Sequence, residues 1–307
     1  MIKNIKCLII GYGSIGKKHA SVLKKIVGYK NIYILSKKNI KGYLILKNFN
    51  QLKKYQFDYI IISSPTSTHL KQLKFLDKFS RKSTILIEKP LFSKFIDYKP
   101  KNKKIFVGYN LRFNPLIKYL KKINKKEIFS ITINCTSFLP DWRKNIHYTK
   151  TYSSQKKLGG GILNELSHEL DYFQFIFQKI ILKDISNVML KKSSNLKVDV
   201  EDSALIQGKI NNLNYIFNLN FYSKFKKREI IIENFKETIV CNLLNNSISF
   251  FSKLKKKTKK VKFIKNNTYF ELHNEILSKK KNKLACNYQD GLNILKLIDS
   301  IKKKCHS

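Results

Sequence analysis

Three glycines follow the first apolar segment of the chain with a spacing that is typical of a phosphate-binding turn. The turn consists of Gly11, Tyr12, Gly13, Ser14, Ile15 and Gly16. The first glycine permits a tight turn, the second leaves room for a pyrophosphate, and the third lets the following helix pack closely on the strand. The amino end of that helix offers free N–H groups to an anion. The spacing therefore predicts a dinucleotide site at residues 11–16.

The end of the next predicted strand bears on which dinucleotide binds. About 20 residues after the glycine turn, NAD enzymes usually carry Asp or Glu for the ribose 2′-hydroxyl. Here the chain has Ser36 and Lys37, and neither is a carboxylate. A hydroxyl and an ammonium suit a 2′-phosphate, so these residues favour NADP(H), with NAD(H) as the alternative. The opposing interpretation is that Lys37 is one more loop lysine in a lysine-rich chain.

A second group of candidate residues follows a later apolar strand. Glu88, Lys89 and Pro90 come directly after residues 84–87, and doubly wound sheets bind ligands at the carboxyl ends of their strands. Pro90 restrains the residue before it to an extended backbone, which restricts the position of Lys89. An ammonium beside a nicotinamide can polarise or protonate a carbonyl oxygen during hydride transfer. Lysine is so common in this chain that Lys89 taken alone is weak evidence.

A glycine triplet precedes a helical pattern that carries a histidine. Residues 159–161 are all glycine, and Glu165, His168 and Asp171 follow at intervals of three, which places them on one side of a helix. Carboxylates can orient an imidazole and raise its pKa towards the working pH, as a general acid or base requires. The alternative is a solvated helix face with a surface histidine. The triplet argues against that alternative, because consecutive glycines cost backbone entropy unless a ligand or another backbone comes close.

Several further residues have two interpretations each. Arg143, next to the single tryptophan Trp142, either clamps a substrate phosphate or carboxylate or packs on the indole at the surface. Arg112 either shapes a substrate pocket or forms a structural ion pair. His69 either lies near the nicotinamide ribose or starts a helix. The remaining histidines are predicted to be structural or at the surface: His19, His147, His273 and His306. We expect no metal site, because the histidines do not combine with cysteines or carboxylates at ligand spacing.

The elements that must position these residues change in character along the chain. Apolar runs at 5–10, 31–35, 59–62, 84–87 and 105–107 alternate with helical patterns at 14–27 and 69–79. Short apolar strands separated by helices predict a parallel sheet that is covered on both faces. We therefore expect an α/β chain that begins with a doubly wound Rossmann domain for the dinucleotide over residues 1–114.

Longer strands in succession follow, which predicts an α+β domain with a mostly antiparallel open sheet over residues 115–307. The predicted strands are 128–138, 180–182, 204–210, 213–221, 229–233, 238–243 and 248–251. Helices are predicted at 115–123, after the glycine triplet to about 178, at 268–278 and at 288–303. The lysine-rich runs at 253–262 and 279–283 are predicted to be a solvated hairpin and a solvated loop. This domain would bind substrate and mediate oligomers.

Composition limits the classes of protein that fit. The 307 residues are 43% hydrophobic and 12% aromatic, enough for buried cores. Although the net charge is +42, only Arg81, Arg112, Arg143 and Arg228 are arginine, whereas sequence-specific nucleic-acid readers rely on arginine. Five scattered cysteines suggest neither a disulfide framework nor a zinc site. With no apolar run long enough for a membrane span, we expect a cytoplasmic protein without a nucleic-acid or membrane partner.

The motifs together resemble one family. The glycine turn, Ser64-Pro65-Thr66 with His69, Glu88-Lys89-Pro90, and Gly108-Tyr109-Asn110 with Arg112-Phe113-Asn114-Pro115 occur in the order seen in the Gfo/Idh/MocA oxidoreductases. That family includes glucose–fructose oxidoreductase and inositol dehydrogenase. The glycine triplet with its histidine and the segment 269–272 extend the resemblance over nearly the whole chain.

The resemblance implies a Rossmann domain followed by an α/β domain whose open sheet often mediates oligomers, so we expect a homo-oligomer. It implies that Lys89 is a catalytic and substrate-orienting residue and that His168 accepts the proton of the substrate hydroxyl. It adds Ser64, Pro65, Thr66, His69, Glu88 and Lys89 to the cofactor site. It also adds Tyr109 to the substrate residues Glu165, Asp171, Arg143 and Arg112.

Two features depart from the common pattern of the family. Glu165 stands where many members have aspartate and reaches one methylene further, and Ser167-His168 replaces the frequent Gly-x-His. Both departures bear on how the substrate lies. The segment 141–143 and the string 165–171 resemble a branch associated with surface-polysaccharide sugar genes, which implies a nucleotide-linked or amino sugar.

The leading hypothesis from the sequence is an NAD(P)-dependent dehydrogenase or ketoreductase that acts on a sugar. A hydride would pass between nicotinamide C4 and a sugar carbon, while His168 exchanges the hydroxyl proton and Lys89 stabilises the developing oxyanion. The alternative is a lysine-rich nucleic-acid-associated or regulatory protein that retains a non-catalytic Rossmann shell. A third possibility is an NADP-sensing protein without turnover.

Overall fold

The computed structural model describes residues 4–264, 266–278 and 283–306. It forms two compact units: the first contains the described residues of 1–113 and 265–295, and the second those of 114–264 and 296–307. The sequence instead predicted one uninterrupted domain over 115–307. The segment 265–295 groups with the first unit because a helix within it buries Tyr269, Leu272 and Ile276 in that unit's core.

The first unit contains a seven-stranded sheet. Its strands are β1 (Cys7–Ile10), β2 (Ile32–Leu35), β3 (Leu44–Leu46), β4 (Tyr59–Ile62), β5 (Thr84–Ile87), β6 (Ile105–Val107) and β15 (Cys286–Asn287). They lie in the order β15-β6-β5-β4-β1-β2-β3, and all are parallel except β15, which runs antiparallel to β6. Without β15 this is the strand order of a dinucleotide-binding sheet, whose crevice opens where the order reverses, between β1 and β4.

Four described helices lie entirely within the first unit. They are α1 (Ser14–Val27), α2 (Phe49–Leu52), α3 (His69–Phe79) and α7 (Asn267–Leu277). On α1 the buried residues recur every three or four positions, which is the spacing of one helical face. Among them, Leu23 and Ile26 share a core with Leu272 and Ile276 of α7. The helix that follows the glycine turn is therefore fixed by its packing against α7.

The second unit contains an eight-stranded sheet. Its strands are β7 (Ile128–Phe138), β8 (Ile185–Lys191), β9 (Ser203–Ile210), β10 (Leu213–Asn220), β11 (Tyr222–Asn234), β12 (Thr238–Asn242), β13 (Ser247–Phe251) and β14 (Lys256–Lys260). They lie in the order β14-β13-β12-β11-β7-β10-β9-β8. The pairing of β7 with β10 is parallel and the other pairings are antiparallel. The predicted fold class, a parallel Rossmann sheet followed by a mostly antiparallel sheet, is confirmed.

The helices that accompany the second sheet are α4 (Pro115–Lys122), α5 (Ile162–Glu165) and α6 (Ser167–Ile176). On α6, Phe173 packs its ring on Tyr215 and Phe217 of β10, with centroids 5.4 and 5.3 Å away. This aromatic contact fixes one face of α6 on the sheet. The last helix, α8 (Tyr288–His306), contributes residues to both units.

Most of the predicted strands and helices are present in the structure, and the exceptions are short segments. The segment 180–182 is not a strand, since β8 begins at Ile185 after a short 3-10 turn. Strands β3 and β15 were missed because they have only three and two residues. The exposed strand β14 pairs with β13, as the predicted lysine-rich hairpin requires. In the predicted loop 279–283, residues 279–282 lie outside the described residues. No described helix is long and apolar enough to cross a membrane.

Candidate active site

The glycine turn follows β1 at the carboxyl edge of the parallel sheet. Gly11 has φ +94°, a conformation that favours glycine, and a Cβ there would lie 2.8 Å from the backbone N of Ser64. At Gly16 a Cβ would lie 2.1 Å from the Gly11 carbonyl oxygen. At Gly13, by contrast, a Cβ would meet nothing within 4 Å among the described residues. The three glycines thus supply a tight turn, open space and close helix packing, as the motif predicts.

The open space at Gly13 lies at the amino end of α1. Gly13 and Ser14 are exposed, and among the described residues no side chain caps the first turn of the helix. The first N–H groups of a helix have no partner within it, and together with the helix dipole they attract an anion. A pyrophosphate fits this position, because it can approach the backbone where a Cβ is missing. Beside it, the ring of Tyr12 packs edge-on against Tyr43.

The end of β2 carries the residues expected to select the coenzyme. Ser36 is half-buried, and its Oγ accepts a hydrogen bond from the backbone N of Lys38 at 3.1 Å. Lys37 is exposed. The Nζ of Lys47, a residue that the sequence did not single out, donates to the Lys37 carbonyl oxygen at 3.4 Å. Its position after β3 places it beside the end of β2 because these two strands pair in parallel register.

After β4, a histidine joins two strand-end loops. His69 is 1% exposed; its Nε2 lies 3.0 Å from the Ser64 carbonyl oxygen, and its Nδ1 lies 3.2 and 3.1 Å from the carbonyl oxygens of Pro90 and Leu91. Burial lowers the pKa of His69, although the backbone carbonyl groups act in the opposite direction. The ring therefore ties the loop after β4 to the loop after β5. It also begins α3, the alternative left open by the sequence.

The neighbouring loop residues have their own contacts. Ser64 donates its Oγ hydrogen to Oε1 of Gln72 at 2.7 Å, Pro65 is exposed, and Thr66 is buried. These residues lie directly after β4, next to β1 in the sheet. Their position is the edge at which a dinucleotide would extend from the glycine turn.

The Glu-Lys-Pro segment lies directly after β5. The backbone N of Glu88 donates to the Ile62 carbonyl oxygen at 2.8 Å, so the ladder between β4 and β5 continues to this residue. Glu88 is buried, Lys89 is half-buried, and the peptide bond between Lys89 and Pro90 is cis. The Glu88 carboxylate lies over Gly108, where a Cβ would come within 2.7 Å of Oε1. Lys89 is thus presented at the carboxyl edge by a tightly packed neighbour.

Two buried histidines connect to Glu88, and the sequence had left structural and surface positions open for both. His19 of α1 has its Nε2 2.9 Å from Oε1 of Glu88 and its Nδ1 2.9 Å from Nε2 of His273 on α7. The Nδ1 of His273 lies 2.9 Å from the hydroxyl of Tyr59. His19 lies four residues from both Ile15 and Leu23 on the apolar face of α1. That spacing could have shown that it is buried.

The residues after β6 are also buried in the first unit. Tyr109 is 1% exposed. Arg112 forms an ion pair with Asp290, with 3.2 Å between Nη1 and Oδ2. The guanidinium of Arg112 therefore has the structural partner that the sequence left as an alternative, and its predicted role in substrate binding stays a prediction.

In the second unit the glycine triplet is crowded by backbone. A Cβ at Gly160 would lie 2.3 Å from the Tyr152 carbonyl oxygen, and Gly161 has φ +110°. Asn164, which the sequence did not single out, donates from Nδ2 to the carbonyl oxygens of Gly159 and Gly160 at 3.0 and 3.3 Å. Of the two explanations for the triplet, the close approach of another backbone accounts for Gly160.

The histidine helix is broken and mostly buried. The segment α5 ends at Glu165, Leu166 has φ −95° and ψ 26°, and α6 begins at Ser167. Glu165 is 8% exposed, Asp171 is fully buried, and His168 is half-buried. The alternative of a solvated helix face is therefore wrong. These three side chains are held by the unit's interior rather than by one continuous helix face.

A buried ion pair holds α6 on the sheet next to His168. Glu169 is fully buried, and its Oε1 accepts from Nε and Nη2 of Arg228 on β11 at 2.8 and 2.7 Å. Burial and the nearby Glu169 carboxylate raise the pKa of the Cys135 thiol. The sequence does not predict this pair, because a single arginine on a strand gives no sign of which helix it meets.

The residues before the glycine triplet line a narrow cleft of the second unit. Trp142 donates from Nε1 to Ser137 Oγ at 3.0 Å, and the guanidinium of Arg143 lies 5.9 Å from the centre of the Tyr152 ring. Arg143 thus stacks on a tyrosine instead of on the neighbouring indole. Ser153 lines the same cleft, and its buried Oγ has no hydrogen-bond partner among the described residues.

His147 and His306 are the remaining histidines, and the sequence predicted no metal site. His147 is exposed, with its Nδ1 2.8 Å from Thr149 Oγ1, and the side chain of His306 lies outside the described residues. In the described ranges, no group of three histidine, cysteine or carboxylate side chains is arranged to hold a metal ion.

The geometry brings together the residues after successive strands of the first unit. The carboxyl-end registers pair Ile10 with Leu35 and Ile62, and Ile62 with Ile87. The glycine turn, Ser36, the Ser64 loop and Glu88-Lys89 therefore share one edge of the sheet. Glu165, His168 and Asp171 lie in the second unit on the consecutive helices α5 and α6. Their roles in binding and catalysis stay predictions.

Comparison with known proteins finds solved structures that are similar to nearly the whole chain. No family model matches the sequence, and no curated protein matches it. Among solved structures, the WlbA dehydrogenase from Bordetella pertussis in complex with NADH and UDP-GlcNAcA is 14% identical over 99% of this chain and 96% of that chain, with a TM-score of 0.78. The UDP-N-acetylglucosamine 3-dehydrogenase GnnA from Acidithiobacillus ferrooxidans is 15% identical over 98% and 97%, with a TM-score of 0.74.

A third structure, levoglucosan dehydrogenase in complex with NADH and levoglucosan, is 14% identical over 99% of this chain and 98% of that chain, with a TM-score of 0.79. These proteins match both units and not the dinucleotide-binding sheet alone. Over its whole length the chain therefore has the fold of these dehydrogenases, which is the fold that its resemblance to the Gfo/Idh/MocA oxidoreductases predicts.

Proposed function

We propose that the protein is an NAD(P)-dependent oxidoreductase that transfers a hydride between the nicotinamide and a hydroxyl or carbonyl carbon of a sugar. The observation that carries the proposal is the open helix end at Gly13, at the carboxyl edge of a sheet with dinucleotide-binding strand order. The fold shared with dehydrogenases crystallised with NADH supports it. With five free thiols and a chain suited to a reducing environment, we expect a cytoplasmic enzyme.

Each catalytic role follows from the chemistry of one side chain. When bound, the nicotinamide would accept the hydride from the sugar carbon or return it. The Lys89 ammonium donates a hydrogen bond to the oxygen on that carbon and stabilises the negative charge that develops there. His168 takes the hydroxyl proton during oxidation and gives it back during reduction. Glu165 and Asp171 orient the sugar and the imidazole.

The proposed substrate class is a nucleotide-linked or amino sugar. The guanidinium of Arg143 is half-buried, and a guanidinium suits a phosphate or carboxylate oxygen because it can donate two parallel hydrogen bonds. Two of the compared proteins support this class, since one is named for UDP-N-acetylglucosamine and the other was crystallised with UDP-GlcNAcA.

For the coenzyme we favour NADP(H) over NAD(H), although two of the compared structures contain NADH. The support is local: Ser36, Lys37 and Lys47 surround the end of β2, where a carboxylate would discriminate against a 2′-phosphate. Equal Michaelis constants for the two coenzymes would contradict this preference.

The test of the proposed function is a screen of sugar nucleotides with both coenzymes, followed by absorbance at the nicotinamide band. On the substrate so found, Lys89→Ala and His168→Ala should each lower turnover by about 100-fold or more, because each removes an interaction of the transition state. NADPH affinity, measured by nicotinamide fluorescence, should be nearly unchanged.

Matched controls are Lys82→Ala and His147→Ala, since both side chains are exposed and neither belongs to the predicted site. Both controls should keep the turnover of the unmodified protein. If Lys89→Ala and His168→Ala also keep that turnover, the assigned roles are wrong. If neither coenzyme binds, the proposed function itself is wrong.

A further inference from the structure

A chain of hydrogen bonds crosses the interior of the first unit and ends at the residue before Lys89. It joins the Tyr59 hydroxyl to Nδ1 of His273, Nε2 of His273 to Nδ1 of His19, and Nε2 of His19 to Oε1 of Glu88, each over 2.9 Å. We call these four residues the buried relay. The exposed fractions of its two histidines and of Tyr59 are all 0%.

The buried relay runs along the sheet from one edge towards the other. Tyr59 is the first residue of β4, whereas Glu88 follows the last residue of β5, and the register pairs Ile62 with Ile87. Four residue steps therefore separate the two ends, about 13 Å at the rise of a β-strand. The relay thus connects the amino edge of the sheet with the edge that carries the coenzyme motifs.

The Glu88 carboxylate fixes the donor at its end of the relay. Oε2 of Glu88 accepts from the backbone N of Lys89 at 3.3 Å, so both oxygens of this carboxylate are acceptors. His19 therefore donates from Nε2, and when both imidazoles are neutral it accepts at Nδ1, while His273 likewise donates from Nε2 and accepts at Nδ1. Tyr59 donates to close the chain. This pattern satisfies every bond with two neutral imidazoles of the same tautomer.

Burial supports the neutral state of the second histidine. Desolvation, followed by the neighbouring His19, lowers the pKa of His273 well below its usual range. A charged imidazole at His273 would donate from both nitrogens, which would force Tyr59 to act as acceptor and would reverse the bond to the hydroxyl. With His19 also neutral, the bonds run from Tyr59 to Glu88, whereas a charged His19 would donate from both nitrogens and reverse its bond to His273.

The far end of the relay is confined on several sides. The Glu88 carboxylate packs over Gly108, where a Cβ would come within 2.7 Å of it, and is held by His19 and by the backbone N of Lys89. His19 belongs to α1, the helix that begins at the glycine turn, while His273 belongs to α7. One network therefore links the coenzyme turn, the Lys89 strand end and a helix from the carboxy-terminal part of the chain.

We propose that Tyr59, His273 and His19 are positioning residues: the buried relay fixes the orientation of the Glu88 carboxylate and thereby the backbone from which Lys89 reaches the substrate. The inference deepens the proposed dehydrogenase function and rests on it for its kinetic consequence. Its structural content, two neutral histidines of defined tautomer, does not depend on any substrate.

Other titratable groups surround the relay and must be considered in any pH experiment. They are Cys7 on β1, His69 on α3 near Glu88, and Tyr269 on α7, whose ring lies 5.2 Å from that of His19 and under the Lys18 ammonium. Burial, followed by the interactions with Cys7 and Glu88, raises the pKa of Tyr59 well above its usual range. Burial raises the pKa of Cys7 to about 12. Neither Cys7 nor Tyr59 therefore changes charge between pH 6 and 8.

The first test is imidazole ¹⁵N NMR of the full chain at pH 7.5. The chain has only six histidines, and His19→Gln and His273→Gln assign the two relay signals by loss. Both signals should show a protonated Nε2, an unprotonated Nδ1 and no positive charge. A charged ring or an Nδ1–H tautomer at either position would overturn the proposal, whether or not the protein is a dehydrogenase.

The second test compares conservative and disruptive variants at one position. In His273→Gln the amide nitrogen can replace ring Nε2 as donor to His19, whereas His273→Leu cannot donate. With the sugar nucleotide found in the screen, His273→Leu should lower kcat by about 10-fold, and His273→Gln should recover most of that loss. NADPH affinity should change by less than about twofold in both. Tyr59→Phe removes one oxygen atom and should lower kcat by about threefold.

Tyr33→Phe is the matched control for Tyr59→Phe, because Tyr33 lies on the same sheet in a ring cluster with Tyr55 and Phe57. It should leave kcat unchanged. Equal losses in His273→Gln and His273→Leu, or losses that follow the melting temperature across all variants, would reduce the relay to a structural feature and overturn its positioning role.

Discussion

At the scale of single residues, the glycines of the turn have different physical reasons to be glycine. Gly11 and Gly16 are required by the protein's own backbone, since a Cβ at either would come within 3 Å of main-chain atoms. Gly13 is not, because nothing described lies within 4 Å of its missing Cβ and its φ of −76° suits any residue. The described structure does not require glycine there, which agrees with the proposed approach of a ligand to this backbone.

This difference makes a prediction for two alanine variants. Gly16→Ala should destabilise the folded chain by about 2 kcal/mol, since the Gly11 carbonyl must move to admit the methyl group. Gly13→Ala should change stability by less than about 1 kcal/mol but weaken NADPH binding by about 10-fold or more. Urea unfolding and fluorescence titration measure the two effects. An unchanged NADPH affinity in Gly13→Ala would contradict the pyrophosphate position.

At the scale of elements, α6 is held by two kinds of contact. Phe173 packs on the sheet through apolar rings, while Glu169 meets Arg228 in a buried ion pair. Removing one partner of such a pair is costly because it leaves an uncompensated charge, whereas replacing both by apolar residues is often neutral. Because Glu169 directly follows His168, the ion pair also fixes the start of the helix that carries the imidazole.

We therefore expect Arg228→Leu to destabilise the second unit by about 3–5 kcal/mol. The double variant Glu169→Met with Arg228→Leu should recover most of the loss, because no buried charge is left alone. The urea midpoint followed by circular dichroism measures both. A double variant that is less stable than Arg228→Leu would show that the pair contributes more than mutual neutralisation.

At the scale of the whole molecule, the charge of +42 and the buried histidines both predict that acid destabilises the folded chain. Burial lowers the pKa values of His69 and His273 in the folded chain. Acidification also adds positive charge to a chain that already repels itself.

Oligomerisation through the second sheet stays a prediction; exposed rings such as Phe129 and Phe225, 52% and 71% exposed, are available for it.

The sign of the resulting pH dependence follows from proton binding. Above about pH 6.5 neither state protonates these histidines, whereas below it the unfolded chain binds protons that the folded chain does not. Stability should therefore fall between pH 7.5 and 5.5, by up to about 1.4 kcal/mol per pH unit for each histidine.

Urea midpoints at several pH values test this prediction. The measurements are made in about 0.5 M salt, which shortens the Debye length to a few ångströms and screens the general repulsion. In salt, His273→Gln should flatten the slope, while His147→Gln should not, because His147 is exposed. A midpoint that is constant from pH 7.5 to 5.5 would contradict the burial of neutral histidines.

Much of the fold was readable from local patterns. Strands 59–62, 84–87 and 105–107 and helices 14–27 and 69–79 were predicted with their observed bounds, because apolar runs and helical periodicity are local properties. The segment 180–182 and the short strands β3 and β15 were not. Two or three residues carry no period, and their pairing depends on neighbours distant in sequence.

The sequence by itself determined the glycine turn, the order of the strands' end motifs and the change from alternating to successive strands. Those features depend on residue type and near spacing. Only the tertiary structure decided that α7 belongs to the first unit, that His19, His273 and Tyr59 form one network with Glu88, and that Arg228 neutralises Glu169. These contacts join residues 59 to 254 positions apart, and packing of the buried interior, not local pattern, selects such partners.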